Sequence, residues 1–334
     1  MEDQTPKLPM AETGKVIRKS VYTFLRSYDY FTSAAALLAF PFSAAVLLSQ
    51  AYVPSSPSLL PTIYNRLKTL FDAAGFPPSS EFFGILNQKL SQTIFSTILT
   101  LPFTLTFLLI AKATIIQALK QKKPALPPSF SSVVTLYSPL LLTHICNSFL
   151  ILSANATVFS LLFFAFNFLE GFGFSSPNCI LFLSAAGAVL YSIILANSLV
   201  VCNLASVLSG MERRGGFTAI LKACVLMRGR ASTALSVALP INLALAAIEA
   251  LFQFRVVRAY HFAGKLGMST ALEGIFIAYL YSIFVALDTI VNCMFFKSCK
   301  TYSWTEQKGR HSCRREFAEE DSDGYVSLTM EELP

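Results

Sequence analysis

The sequence predicts an all-α membrane protein with six transmembrane helices and amphipathic interfacial elbow helices before the odd-numbered spans. Three observations predict it. Hydrophobic residues make up 54% of the 334 and charged residues only 13%. A soluble domain carries about 25% charge, so most of this chain's surface faces something other than water. No Asp, Glu, Lys or Arg occurs from Pro124 to Leu169, or from Gly171 to Met211, and both runs exceed the ~20 residues that cross a bilayer as helix. The Lys and Arg residues gather between alternate apolar runs.

Residues 1–29 form a polar N-terminal segment that ends in the first elbow. Within Lys15–Tyr28, Val16, Val21, Phe24 and Leu25 fall near one helical face. The first span follows at 30–53. Its polar lead and long apolar run both argue against a cleaved signal peptide, whose apolar core is about 7–15 residues. In the loop Pro54–Lys89, Leu60, Ile63, Leu67, Leu70 and Phe71 repeat at helical spacing, which predicts an amphipathic helix lying on the outer face. The second span, 91–119, carries Thr93, Thr97, Thr100 and Thr104 in one row, read as a ridge for close helix packing.

The uncharged stretch from Ser132 to Leu169 is too long for one span and too short for two. Phe130–Thr143 is therefore read as an elbow after the breaker Pro127-Pro128-Ser129, and 144–169 as the third span. That span contains Asn155-Ala156-Thr157, a glycosylation acceptor pattern placed beyond the enzyme's reach. The fourth span is 180–204. Next comes "LASVLSGMERRGGFTAILKACVLMRGRASTAL", with five basic residues and one acid. Its apolar residues Phe217, Ile220, Leu221, Cys224 and Val225 predict a helix with one greasy stripe, separated from the fourth span by Gly215-Gly216. The fifth and sixth spans are 231–254 and 274–296, and 297–334 reads as a disordered tail, basic first and then acidic. Pro41, Pro102 and Pro240 lie inside spans, where they should kink the helices.

Orientation follows from charge. With both termini cytosolic, 19 Lys and Arg lie inside and six outside, and Lys112 lies within a span. That is the bias of the positive-inside rule. The expected location is the endoplasmic reticulum or plasma membrane.

The segments "SFSSVVTLYSPLLLTHICNSFLIL" (Ser129–Leu152) and "LASVLSGMERRGGFTAILKACVLMRGR" (Leu204–Arg230) resemble the matching segments of a family of plant multi-pass membrane proteins. The resemblance extends from about Lys15 to Lys297. It implies a six-span endomembrane or plasma-membrane protein and carries over no catalytic residue.

Polar side chains inside the bilayer are the candidate sites, since a charge at its centre costs roughly 2.5–3.5 kcal/mol on the insertion scale. Asp288 and Asn292 share a face of the sixth span, and Asn242 and Glu249 share one on the fifth. Lys112 lies in the second span near its cytosolic end. One reading joins Asp288, Glu249 and Lys112 into an ion or proton path. The other spends them on interfaces and bundle contacts. Arg213, Arg214, Lys222, Arg228 and Arg230 are candidate contacts for anionic lipid headgroups, or else fix topology alone. Tyr325 and Leu328 fit a tyrosine-based sorting signal for a cytosolic adaptor. Glu319–Leu328 fails as a calcium loop, because Met330 stands where the bidentate Glu belongs.

Seven cysteines form no CxxC pair and only three histidines occur, so metal or haem ligation has no support. Cys293 and Cys299, beside the membrane, are read as packing residues or acylation sites. No Ser/His/Asp set or phosphate loop appears. The expectation is a non-enzymatic membrane organiser or adaptor with no cofactor and no nucleic-acid partner, the alternative being a transporter or channel that uses the intramembrane acids.

Overall fold

The computed structural model describes residues 9–53, 59–73, 81–121, 130–172, 177–263 and 267–330. The sequence's polar breaks set its helices. They are α1 (Pro9–Arg26), α2 (Tyr28–Ala34), α3 (Phe40–Tyr52), α4 (Leu59–Ala73), α5 (Glu81–Phe103) and α6 (Leu109–Lys120). After these come α7 (Phe130–Gly171), α8 (Pro177–Glu212), α9 (Phe217–Met227), α10 (Ala231–Phe252), α11 (Arg258–Ala263) and α12 (Met268–Met330). No strand occurs among the described residues. Among the described residues six helical stretches are long and apolar enough to cross a membrane: Tyr28–Tyr52, Gly84–Lys120, Ser131–Leu169, Leu181–Glu212, Ala231–Tyr260 and Met268–Thr301. Leu48, Ile98, Phe164, Phe182, Leu243 and Phe276 along them are exposed, as expected where lipid is the solvent.

Three spans contain π turns, Ala35–Ala39, Thr104–Leu108 and Gln253–Val257. Two of them lie beside prolines, Pro41 and Pro102, where the sequence predicts kinks. A π turn strands one carbonyl, because the amide that would serve it reaches one residue further back. In Thr104–Leu108 the Leu109 amide bonds Thr104, and the Tyr137 hydroxyl of α7 donates to the stranded Leu105 carbonyl at 3.0 Å.

One end of the bundle collects α1, α9 and the basic ends of the spans; we call it the basic end. There α1 packs on α10 and α12 through Val16, Ser20 and Phe24, which are buried while Val21 and Leu25 are exposed. The predicted single stripe of α1 is thus two edges, only one of which faces protein. Ser27 leaves the helical conformation, and Phe24 brackets the corner by stacking on Phe31 at 6.0 Å and meeting Tyr28 edge-on at 5.9 Å. The main core lies in this half, around Phe31, Ile115, Ile116, Leu136, Leu140, Leu204, Leu208, Ile220 and Ile290. A second core around Leu47, Phe252, Ile277, Tyr281 and Val285 fills the opposite half.

Three features differ from the sequence reading. The elbow before the third span has no boundary: residues 130–143 continue into the span as one helix of 42 residues. Pro139 lies inside this helix without ending it. The Thr row packs nothing at its N-terminal half, where Thr93 and Thr97 are exposed and return their hydroxyls to the carbonyls four residues back. The contact falls instead to Ser96, which shares a 2.7 Å hydrogen bond with Ser49 of the first span. Finally, α12 runs on to Met330, where the sequence predicts disorder. Extension of an existing helix costs far less than nucleation, and Arg314, Arg315, Glu316, Ala318 and Glu319 are good helix formers.

Candidate functional site

The two quoted segments, Ser129–Leu152 and Leu204–Arg230, meet in space at the basic end. α8 ends at Glu212 and the chain reverses through Arg213 at φ 57°, a left-handed conformation that costs a non-glycine residue about 1–2 kcal/mol. Gly215 then presses on α7 so closely that a Cβ there would lie 2.5 Å from the Pro139 carbonyl oxygen and 2.8 Å from its Cα. Gly216, at φ 76°, donates its amide to Thr143 Oγ1 at 2.9 Å. Thr143 in turn donates to the Pro139 carbonyl at 2.7 Å. One turn further on, Asn147 Nδ2 donates to the Cys202 carbonyl at 2.9 Å and to Ser206 Oγ at 3.1 Å. The turn is therefore seated on α7 by backbone contact and a relay of hydrogen bonds.

Lysines close the same end. Lys120 Nζ donates to the Met211 carbonyl at 3.2 Å, and Lys297 Nζ to the Leu119 carbonyl at 2.8 Å, each meeting the negative end of a helix dipole. Glu212 accepts from Lys222 and pairs with Lys300 at 3.7 Å. Arg213, Arg214 and Arg228 are exposed and have no hydrogen-bond or ion-pair partner among the described residues. Arg230 is half-buried and engaged. The five predicted headgroup contacts thus divide into three free cations and two occupied ones.

α9 departs from its predicted single stripe. Ala219, Ile220, Ala223 and Met227 are buried against the bundle, whereas Phe217, Leu221 and Val225 form a second apolar edge that is exposed. Cys224 is exposed on this helix, while Cys293 and Cys299, the cysteines the sequence offers for acylation, are buried.

The intramembrane polar residues are not one site. Glu249 is half-buried in the other half of the bundle. Gln50 Nε2 donates to it at 2.9 Å, and the Tyr281 hydroxyl at 2.9 Å, which ties the first, fifth and sixth spans together. Asn242 has no part in this. It is exposed and donates to the Ala238 carbonyl of its own helix at 3.0 Å, although it stands seven residues from Glu249 on the same helix. Asp288 lies seven residues, about 10 Å, along α12 from Tyr281. It accepts from Asn292 Nδ2 at 3.0 Å. No ion pair within 4.0 Å joins it to Lys112 among the described residues. Gln50, Tyr281, Thr143 and Asn147 were missed from the sequence. Their signal, a polar residue amid an apolar run, is too common to single them out.

Among the described residues no three His, Cys, Asp or Glu side chains come together to hold a metal ion. Tyr325 and Leu328 fall where α12 is described by its backbone alone, so their side chains lie outside the described residues.

A family model described as "Domain of unknown function (DUF8558)" matches residues 1–333. The match takes in the tail, which the sequence resemblance leaves out. No curated protein and no solved structure matches the chain.

Proposed function

For a chain that belongs to the DUF8558 family, we propose a non-enzymatic role: a multi-pass membrane protein that organises lipid or partner proteins at its basic end. The observation that carries this reading is the use made of the intramembrane polar groups. Glu249 accepts from both Gln50 and Tyr281, so this polar cluster of the spans holds helices together and leaves its acid occupied. The six-span domain at 30–296 presents both termini, α1 and α9 to the cytosol, in the endoplasmic reticulum or plasma membrane as in the plant proteins it resembles. The tail recruits a cytosolic adaptor through Tyr325 and Leu328.

One observation favours a second reading, transport. Among the described residues the Asp288 carboxylate accepts a side-chain hydrogen bond only from Asn292 of its own helix and makes no ion pair within 4.0 Å, an arrangement that leaves the acid free to take another partner. The test is proton and potassium flux in vesicles reconstituted with the full chain or with Asp288→Asn. The organising role requires both proteins to match empty vesicles. Flux above that level that Asp288→Asn abolishes overturns it in favour of transport.

A further inference from the structure

We propose that Arg213, Arg214 and Arg228, together with the exposed edge of α9, form a binding site for an anionic phospholipid. The guanidinium groups take the phosphate-bearing headgroup, and Phe217, Leu221 and Val225 lie along the acyl chains.

The apolar edge comes first. Phe217, Leu221 and Val225 are 66%, 62% and 74% exposed and stand four residues apart, so they form one row about 12 Å long. The opposite face of α9 is already filled by Ala219, Ile220, Ala223 and Met227. An 11-residue helix with one face buried and the other apolar and bare at the end of a spanning bundle lies in the plane of the leaflet.

Charge selects the headgroup. Arg213 and Arg214 precede α9 and Arg228 follows it, so free cations stand at both ends of the row. The one acid of the segment, Glu212, is consumed by Lys222 and Lys300. Among the described residues nothing compensates the three arginines, which present positive charge where lipid phosphates lie. Guanidinium matches phosphate with paired N–H donors, which a zwitterionic headgroup partly cancels with its own cation.

The site is also fixed in place. Gly215 against Pro139 and the Gly216 amide on Thr143 hold the turn that carries Arg213 and Arg214. Holding a binding group in its bound position lowers the ordering cost of association. The inference needs only a bilayer, and it stands whether the bundle organises partners or moves a solute.

The experiment is native mass spectrometry of the full chain released from nanodiscs of phosphatidylcholine with 20 mol% phosphatidylserine. The expected result is phosphatidylserine retained at roughly threefold or more above its bilayer share. Arg213→Gln/Arg214→Gln/Arg228→Gln should return retention to that share, and Arg228→Gln alone should lose part of it. Phe217→Ser/Val225→Ser should also weaken retention. The same kind of charge loss on α4, Arg66→Gln/Lys68→Gln, should leave it unchanged. No enrichment in the native chain overturns the proposal, as does enrichment that survives the triple change. If enrichment appears only in Glu319→Gln/Glu320→Gln/Asp321→Asn, the acidic tail is the occupant and the lipid site falls.

Discussion

Gly215→Ala is the sharpest perturbation of the basic end. The added methyl would sit 2.5 Å from the Pro139 carbonyl oxygen, 2.8 Å from its Cα and 3.0 Å from its carbonyl carbon. All three are backbone atoms of α7, so no side-chain rotation relieves the overlap. Either the turn lifts off, losing the Gly216 amide bond to Thr143, or α7 bends. Forced overpacking costs about 1–3 kcal/mol. In a chain of this size one kcal/mol moves a thermal midpoint by about 2 °C, which gives a fall of roughly 2–6 °C. The assay is thermal unfolding in detergent read by a thiol-reactive dye, since Cys202, Cys293 and Cys299 are buried and report on opening. Gly84→Ala is the control. A Cβ there meets nothing within 4 Å, and a helical glycine exchanged for alanine gains about 0.5–1 kcal/mol, so its midpoint should hold or rise. A Gly215→Ala midpoint within about 1 °C of the native chain, well under that expected fall, refutes the docking of this turn on α7.

Thr143→Val should leave the Gly216 amide without its acceptor and lower stability by about 1–3 kcal/mol, while Thr143→Ser, which keeps the hydroxyl, should stay near the native midpoint. A double-mutant cycle on Glu249→Ala with Tyr281→Phe should give a coupling of about 0.6–2 kcal/mol, the range for hydrogen bonds between spans; strict additivity would mean the bond does no work. In a Cys146→Ser/Cys179→Ser/Cys313→Ser background, one equivalent of maleimide should enter fast at Cys224 and none at Cys202, Cys293 or Cys299 before unfolding, as mapped by peptide mass.

The six spans were legible because lipid imposes a composition rule on every residue of a span, and charge-free runs such as Pro124–Leu169 and Gly171–Met211 satisfy it. The helices α1 and α9 were legible for a related reason, as amphipathic stretches, the second set off from α8 by Gly215-Gly216. What stayed hidden was which apolar residues face protein. In water an apolar stripe has one explanation, whereas at a membrane surface a helix can be apolar on two sides. Ile220 and Leu221 therefore look alike in sequence but differ completely in burial. The partners of Glu249 were illegible too: Gln50 lies 199 residues away, and periodicity within one helix offered only Asn242. The π turns add to this, since each shifts the face that the following residues present.

The two functional readings part at α12, which is tied at both ends. In one half Tyr281 holds Glu249; at the basic end Lys297 caps α6 and Lys300 meets Glu212. Only the stretch between, with Asp288 and Asn292 bonded to each other, has no polar tie to another span among the described residues. A transporter must let a span rock against its neighbours around a central site, so ties at both ends oppose that motion. If transport were the function, Tyr281→Phe would remove one tie and raise flux, and Lys297→Gln would do the same from the other end. An organiser gains nothing from either change. The expected result for both variants is proton and potassium flux equal to empty vesicles, with thermal midpoints lowered. A rise in flux on releasing either tie would mean that the bonds gate a pathway rather than set a scaffold.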